Sequence, residues 1–548
     1  MGSWRLLVIN VVVASSLACS APKPATSPRV PGQGAVVIEG PLTVERGRPN
    51  NGATFSKEAN GDGFGPFPTA EADYQFPAAI DPVVLPEIET EIWANVVWPV
   101  PLVGPRPLVV IMHGNYYTCG HGVNPRIDDN DDYAKTGICP AGYRQTPSYL
   151  GFQYLAKRLA SHGYIVVSIN ANRGIPIDGP LEGHDPNRVF ARARLVLRHI
   201  EKLARWNAGD EPTPPVLGID LRGKIDFGHV GLVGHSRGAE AVRLAHNEYQ
   251  RDVAWKDRIG VPISFKGVFE IAGTDSGDEL ANGVAWVALM PVCDGDVPPG
   301  SQMKAYERMR AAGVDDELKA TLAVWGANHR YFNSQWQTSE IEKCPVVYGA
   351  HQIFNPELTG SPEQQLIAGV SVVAFMLANV SADPDLGFND MFDPSKPLPA
   401  SIRDITRIDR NEFPMVDGQQ IASLNEALFW PKSEPFGSVA LRLREFPRLS
   451  LAKISYVRVR VLGLVGNFFL AVVRQDGTTS SYLSAKEFRA GRVVRDRGFR
   501  YEAIDFPAAR LNPDGDLSKV TEIKVVFDSN VAGQVHFNDV TIGHDPQL

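Results

Sequence analysis

The sequence lacks several features that mark large classes of protein. It has no block of basic residues, and 54 Lys+Arg against 62 Asp+Glu leave a formal net charge of −8. A nucleic-acid partner is therefore not expected. No internal repeat is visible, which argues against a propeller or another repeat architecture. Cysteine is scarce, with 5 residues in 548. What remains is an ordinary globular composition, 44% hydrophobic and 21% charged, in a chain long enough for more than one domain.

The only apolar run near the N-terminus is too short to cross a bilayer permanently. Leu6–Val13 follows Arg5 and leads into small residues, which predicts a signal peptide over residues 1–18 and an exported protein. Leu17-Ala18-Cys19 resembles a bacterial lipobox, so we expect a lipid on Cys19 and anchoring to a membrane. The alternative is simple cleavage nearby and a freely secreted protein.

Export places the other four cysteines in an oxidising compartment, where they can pair. Three connectivities exist for Cys119, Cys139, Cys293 and Cys344. We favour Cys119–Cys139, which closes a local loop, together with Cys293–Cys344. The alternative is buried unpaired thiols.

Short apolar runs alternate with helical segments over residues 76–382. Alternation of this kind predicts an α/β domain with a mostly parallel sheet and helices on both faces. Residues 19–75, rich in Pro, Gly, Asn and Ala, are expected to form a tether and an irregular lead-in. The predicted strands are Glu91–Val97, Pro107–Met112, Tyr164–Ile169, His229–Val233, Phe265–Ala272, Val284–Met290 and Thr321–Trp325, and the predicted helices are Leu150–His162, Asp185–Trp206 and Pro362–Val380.

The composition changes after residue 382. Residues 383–399 are rich in Pro and Asp and predict a linker. Residues 400–548 contain short alternating runs separated by turn residues, which predicts an antiparallel β-sandwich as an accessory domain. Such modules often bind polysaccharide through exposed aromatic rings, for which Trp430, Tyr456 and Tyr482 are candidates, although most aromatic side chains in a small β domain are core.

The segment Val230–Glu240 joins an apolar run to the pattern Gly-x-Ser-x-Gly. It reads Val-Gly-Leu-Val-Gly-His-Ser-Arg-Gly-Ala-Glu, and helix formers follow. A strand, a sharp turn and a helix of this composition make a nucleophile elbow, which exposes the hydroxyl of Ser236 at the end of a parallel sheet. Gly234 and Gly238 suit the turn because it leaves no room for a Cβ near the serine. We therefore predict Ser236 as a catalytic nucleophile.

A serine nucleophile needs a base that takes its proton. His329 follows the predicted strand Thr321–Trp325, which puts it at the same sheet edge as the elbow, and we predict it as the general base. His235 lies within the elbow, on the wrong side of the turn to serve as that base.

The base needs a carboxylate that orients it, and acids precede the histidine in the expected chain order. We predict Asp296, which precedes Val297-Pro298 in the way that a fold with a nucleophile elbow usually places the acid. Asp294 is the main alternative. Asp275 and Glu270, after or within the preceding strand, occupy a second acid position used in some relatives.

An oxyanion hole requires two N–H donors near the serine. The elbow offers the backbone N–H of Arg237, and the loop after Pro107–Met112 offers that of Asn115, with Tyr116 as the alternative. Gly114 allows the backbone of this loop to come close. The side chain of Arg237 either binds negative charge on a substrate or is simply solvated.

Over roughly Glu89 to Ala382 these motifs resemble the α/β-hydrolase superfamily. The elbow Gly-His-Ser-Arg-Gly is similar to the lipase motif of chlorophyllases, whose wider group includes bacterial polyester hydrolases and dienelactone-hydrolase-like esterases. In the polyester hydrolases a disulfide can join the loops of the acid and the histidine, and Cys293 and Cys344 are similar to that placement; the resemblance also favours Asp296. The Ser236-Arg237 pair is in addition similar to glucuronoyl esterases.

We therefore expect an exported serine hydrolase that cleaves carboxylic esters through Ser236, His329 and Asp296, without metal or organic cofactor. The chain departs from the resembled families in its insertion at 118–147 and in its C-terminal domain, so the resemblance does not identify the substrate. The alternatives are an amidase or peptidase with the same triad, and a surface glycan-binding protein with a non-catalytic hydrolase domain.

Overall fold

The structure is a computed structural model. It describes residues 63–121, 127–130, 132–176, 185, 188–277, 279–297, 301–312, 317–335, 353, 361–394, 396–413, 419–430, 439–442, 456–488, 502–512, 520–527 and 533–543. The expected signal peptide, the lipidation candidate Cys19, most of the tether and Cys344 lie outside these residues.

Strands account for most of the described elements. They are β1 (Thr69–Gln75), β2 (Ala79–Asp81), β3 (Leu85–Thr90), β4 (Trp93–Pro99), β5 (Arg106–Met112), β6 (Cys119–His121), β7 (Ile127–Asn130), β8 (Arg144–Gln145), β9 (Ile165–Ile169), β10 (Ile225–His235), β11 (Phe265–Ile271), β12 (Ala285–Pro291), β13 (Lys319–Val324), β14 (Ile408–Phe413), β15 (Gln419–Trp430), β16 (Val439–Arg442), β17 (Tyr456–Val465), β18 (Phe468–Arg474), β19 (Leu483–Ser484), β20 (Glu502–Pro507), β21 (Val520–Phe527) and β22 (Gly533–Gly543).

The helices lie mainly between the strands of the first four hundred residues. They are α1 (Asp132–Thr136), α2 (Gln153–Ser161), α3 (Val189–Ala208), α4 (Arg237–Arg251), α5 (Val253–Ile259), α6 (Ser301–Ala312), α7 (Pro362–Asn379), α8 (Ala400–Arg403), α9 (Ala485–Phe488) and α10 (Ala508–Leu511), with short 3₁₀ turns at Ser148–Phe152, Pro215–Leu217 and Leu386–Met391.

Nine strands form one large sheet in the order β1-β4-β9-β5-β10-β11-β12-β13-β14. The six strands from β9 to β13 in this order are parallel to one another. At the two sides, β4 pairs antiparallel with β9 and β14 pairs antiparallel with β13, while β1 pairs antiparallel with β4. The expected α/β architecture with a mostly parallel sheet is thus confirmed. Buried strands of a parallel sheet are apolar on both faces, which explains why β5 reads as an uninterrupted apolar run from Leu108 to Met112.

Helices cover both faces of the large sheet. Alternate residues of β5 face two different cores: Leu108 lies in the cluster that includes residues of α3 and α4, and Val109 in the cluster of α2 and α7. Helix α7 packs directly on the middle of the sheet. A Cβ at Gly231 would lie 2.6 Å from Met376 Sδ, and one at Gly267 2.6 Å from a ring carbon of Phe375. The two glycines therefore create the flat surface on which this helix rests.

The order of the strands reverses between β5 and β10. After β5 the chain forms β9 on one side of β5, and it then crosses over to form β10 on the other side of β5. In open parallel sheets, the crevice at the carboxyl ends of two such strands is where ligands bind. The predicted oxyanion loop follows β5 and the elbow follows β10, so both lie at this switch point.

Two further sheets, each with four antiparallel strands, occur after residue 418. Their orders are β15-β22-β17-β20 and β16-β21-β18-β19. Alternate residues of both sheets are buried in one common hydrophobic cluster, which includes Val459 and Phe506 from the first sheet and Leu470 and Val525 from the second. The expected period-2 patterns thus form strands as predicted.

The structure extends the large sheet beyond the predicted linker. Phe392, within residues 383–399, is buried and packs its ring on Phe375 of α7, with centroids 6.1 Å apart. Ile408–Phe413, which the sequence analysis assigned to the accessory domain, is β14 and pairs with β13. The Pro- and Asp-rich composition of this segment obscured apolar residues such as Phe392, which pack against α7.

Candidate active site

The elbow has the sharp geometry that its glycines require. Ser236 joins β10 to α4 with φ 55° and ψ −129°, a conformation that costs a non-glycine residue about 1–3 kcal/mol. A Cβ at Gly234 would lie 2.2 Å from the carbonyl oxygen of Gly238, and one at Gly238 2.4 Å from that of Met112. Neither position tolerates a side chain. The serine is therefore held at the start of a helix, whose N-terminus favours developing negative charge.

Neighbouring backbone keeps the elbow in this strained form. The N–H of Ser236 donates to the carbonyl of Ile271 at the end of β11, at 3.0 Å. On α4, the buried Glu240 carboxylate accepts from the Thr274 hydroxyl at 2.7 Å and from the N–H groups of Ser276 and Gly277, both at 2.8 Å. The elbow helix thus clamps the loop that follows β11.

The predicted base lies beside the elbow and is oriented by a carboxylate. His329 is fully buried after β13, and its Nδ1 is 2.8 Å from Asp294 Oδ2. The Asp294 side chain is 2% exposed. Its other oxygen, Oδ1, accepts from the backbone N–H groups of Asp296 at 2.9 Å and Val297 at 2.6 Å. The backbone of the turn thus fixes the carboxylate of Asp294. Because this carboxylate holds Nδ1 of His329, Nε2 of the imidazole points away from Asp294.

The carboxylate that contacts His329 Nδ1 is therefore not that of the predicted acid, Asp296. Asp296 lies on the other side of the imidazole, with Oδ2 3.8 Å from His329 Nε2 and 3.2 Å from Arg330 Nη2, and its side chain is 47% exposed. Burial raises the pKa of Asp296, but the neighbouring His329, Arg330 and Arg237 outweigh it and hold the pKa below its usual value. The structure therefore places Asp294 where Asp296 was expected, because an aspartate followed by glycine closes an Asx turn that buries the first carboxylate.

The other two acids considered from the sequence serve a different partner. The buried guanidinium of Arg243 on α4 has its Nε 3.1 Å from Glu270 Oε1 and its Nη2 3.3 Å from Asp275 Oδ1. Arg308 also pairs with Asp275, at 2.6 Å. These ion pairs connect α4 to β11 and α6.

A residue of α7 holds the loop that carries His329, the predicted base. The side-chain amide of Gln364 accepts from the N–H of Asn328 at 3.1 Å and donates to the carbonyl of the same residue at 3.1 Å. The N–H of Cys293 donates to the carbonyl of Ala327 at 2.9 Å, which joins the acid loop to the base loop. The backbone groups of Asn328 and Cys293, the residues before His329 and Asp294, thereby have hydrogen-bond partners.

The predicted oxyanion loop packs directly against Ser236, the predicted nucleophile. A Cβ at Gly114 would lie 2.6 Å from the Cβ of Ser236, so only glycine allows this approach. Arg192 of α3, fully buried, donates to Asn115 Oδ1 at 2.8 Å. His113 Nδ1 lies 2.7 Å from the carbonyl of Gly114, and its Nε2 accepts from the N–H of Ala171 at 2.9 Å. Because burial and then the charge of Arg192 lower the pKa of His113 to about 3, the ring is neutral.

His235 connects the elbow to the two neighbouring loops. Its Nε2 is 2.8 Å from the carbonyl oxygen of His329, and its Nδ1 is hydrogen-bonded to the hydroxyl of Tyr116. The ring is fully buried and packs against Phe152 and the ring of His329, with centroids 5.6 and 4.9 Å away.

One predicted disulfide is confirmed. Cys119 and Cys139 are bonded, with a Cα–Cα distance of 5.6 Å, and they close the insertion that follows the oxyanion loop. Cys293, next to Asp294, is also disulfide-bonded. Its expected partner, Cys344, lies outside the described residues, so the Cys293–Cys344 pairing stays a prediction.

Other features predicted or considered from the sequence concern metal ions, membrane helices and exposed aromatic side chains. Within the described ranges, no three or more His, Cys, Asp or Glu side chains form a group that could hold a metal ion. In that same part of the chain, no helix is long and apolar enough to cross a membrane. Of the aromatic glycan candidates, Tyr456 is buried, Tyr482 is 45% exposed, and the side chain of Trp430 is outside the described set.

Sequence reasoning missed the residues that support the site from a distance. Arg192 and Gln364 lie on helices predicted correctly, but nothing in their local pattern indicates that they reach the loops of Asn115 and Asn328. Asp294 did carry a signal, because Asp-Gly is a turn dipeptide.

The sequence matches no family model and no curated protein.

Proposed function

We propose that this chain is a serine hydrolase of the α/β-hydrolase fold that cleaves carboxylic esters, with a β-sandwich formed by its two C-terminal sheets. The observation that carries the proposal is the buried Asp294–His329 hydrogen bond, with His329 in contact with His235, the residue directly before Ser236, in the chain order serine, acid, histidine. The strained serine at a helix N-terminus and the glycine loop packed against it support the same chemistry.

In the proposed mechanism, Ser236 Oγ attacks the ester carbonyl while His329 Nε2 takes its proton. Asp294 keeps Nδ1 protonated and stabilises the imidazolium. The N–H groups of Arg237 and Asn115 hold the oxyanion. His329 then gives the proton to the leaving alcohol, and water hydrolyses the acyl-enzyme in a second, equivalent cycle.

The direct test is the hydrolysis of p-nitrophenyl esters by the full chain and by Ser236→Ala. We expect the variant to lose activity by about 10³-fold or more, since the nucleophile is absent. Ser481→Ala, an exposed serine in the C-terminal part, serves as the matched control and should retain full activity. Equal activity of Ser236→Ala and the parent chain would refute the proposal. Matched amides in the same panel decide between esterase and amidase.

We further propose export, with a lipid on Cys19. Growth of a producing bacterium with a labelled fatty acid should label the parent chain and not Cys19→Ser. An unlabelled parent chain of mature length would show simple cleavage and secretion instead.

Polysaccharide binding by the C-terminal part is proposed on the exposed ring of Tyr482. The full chain should sediment with an insoluble polysaccharide, Tyr482→Ala should bind more weakly, and Tyr482→Phe, which keeps the ring, should bind normally. A chain that sediments with none of a broad panel contradicts this part of the proposal.

A further inference from the structure

The elbow histidine has a hydrogen-bonding pattern that admits a single tautomer. A carbonyl oxygen only accepts, so the contact of 2.8 Å between His235 Nε2 and the His329 carbonyl requires a proton on Nε2. Burial, followed by the nearby His329 imidazole, lowers the pKa of His235 well below its usual value, so the ring is neutral. A neutral ring with a proton on Nε2 has an unprotonated Nδ1. The hydroxyl of Tyr116 must therefore donate to that nitrogen.

The resulting chain of hydrogen bonds connects three of the four loops that form the candidate site. Tyr116 belongs to the loop after β5, His235 to the elbow, and His329 to the loop after β13. His235 is also the residue directly before Ser236. One side chain thus connects the peptide that carries the nucleophile to the backbone that carries the base.

We propose that His235 is a positioning residue, which holds the His329 backbone at the correct distance from Ser236, and that Tyr116 maintains the tautomer that His235 needs for this. The inference rests on the proposed function, since it assigns His329 as the base. His235 does not exchange a proton with substrate. It acts through the Nε2–H bond alone, while its ring packs between Phe152 and His329.

Two substitutions separate the hydrogen bond from the bulk of the ring. The amide nitrogen of glutamine reaches the place of Nε2, so His235→Gln can still donate to the His329 carbonyl. The shorter His235→Asn reaches only the place of Nδ1 and leaves that buried carbonyl without this donor. We expect His235→Asn to lower kcat by about 100-fold, the usual result of displacing a catalytic group by about 1 Å, with KM changed much less. His235→Gln should retain kcat within about tenfold.

Thermal unfolding distinguishes positioning from a purely structural role. Both variants lose ring packing, and His235→Asn also leaves the His329 carbonyl without this donor, so we expect a decrease in Tm in both and a larger one in His235→Asn. We therefore compare kcat at a temperature at which circular dichroism shows both variants to be fully folded. If His235→Asn and His235→Gln show the same kcat at that temperature, the positioning role is wrong. Tyr116→Phe should fall between the two variants in kcat, because Nδ1 loses its donor while the Nε2–H bond remains.

A second measurement does not depend on turnover. ¹⁵N spectra of the histidine rings in the full chain, recorded between pH 6 and 8, report which nitrogen carries the proton. We expect His235, identified by its loss in His235→Gln, to be protonated at Nε2 and not to titrate. His113 is the internal control, since its contacts require the opposite tautomer. A proton on Nδ1 of His235, or titration in this range, would overturn the inference. An inactive parent chain in which His235 shows the expected tautomer would instead count against the proposed function.

Discussion

Exchange of Asp294 for asparagine tests whether the carboxylate of Asp294 orients His329 and determines which ring nitrogen carries the proton. Asp294 Oδ1 accepts two backbone N–H groups, so in the variant this place must stay with the amide oxygen. The amide nitrogen is then directed at His329 Nδ1. Since that nitrogen only donates, Nδ1 must become an acceptor and the imidazole proton must move to Nε2. A base protonated at Nε2 cannot take the proton of Ser236.

The expected loss follows from this inverted tautomer. An asparagine in the orienting position of such a triad lowers kcat by roughly 10³–10⁴-fold, which is about 4–5.5 kcal/mol of transition-state stabilisation. Folding should change little, because the two turn hydrogen bonds and the shape of the side chain remain. KM should also change little, since Asp294 is 2% exposed and cannot touch substrate.

Asp296→Asn is the matched control, two residues away. Asp296 is 47% exposed and pairs with Arg330 at 3.2 Å, and exposed pairs contribute at most about 1 kcal/mol. We expect kcat to fall less than about tenfold. Steady-state hydrolysis of a p-nitrophenyl ester at pH 8 measures both variants, with circular dichroism as the check on folding. The reverse ranking, a severe loss in Asp296→Asn and a mild one in Asp294→Asn, would refute our assignment and restore the acid predicted from the sequence.

Three further changes have defined outcomes. Gly114→Ala puts a Cβ 2.6 Å from that of Ser236, so kcat should fall at least about 100-fold, as expected for a displaced nucleophile; unchanged kcat would show that the loop does not pack on the serine. Burial raises the pKa of Glu91 from 4.5 to about 7. The folded state therefore holds a proton that the unfolded state releases, and stability should decrease by on the order of 3 kcal/mol as the pH rises from about 4.5 to 7. Glu91→Gln should flatten this decrease in urea unfolding, and an unaltered pH profile would contradict the shift. Replacing both Cys119 and Cys139 with serine opens a loop with a sequence separation of 20 and should lower the free energy of unfolding by about 3 kcal/mol; an unchanged Tm would argue against this stabilisation.

Local patterns predicted most of the α/β fold. The apolar run of β5 needs only nearby residues. The helix predicted from Asp185 begins four residues later, at Val189, and the Asp185 carboxylate accepts from the N–H groups of Phe190 and Ala191 in its first turn, at 3.0 Å each. The elbow was equally local, because its turn depends on two glycines and a serine within five positions. By contrast, β14 was assigned to the wrong part of the chain, since its partner β13 is distant in sequence.

The sequence by itself placed the predicted nucleophile Ser236 and the predicted base His329 at one edge of the sheet, because each follows a buried strand and parallel strands end at one edge. Only the tertiary structure decided between Asp294 and Asp296. Both residues follow β12, and the choice depends on which carboxylate the turn buries against His329. The tertiary structure also brings His235 into contact with two loops of the site, because its hydrogen-bond partners Tyr116 and His329 are 119 and 94 residues away in the sequence. Chain order specifies which strands end together, while the direction of a side chain at that edge depends on packing among segments remote in sequence.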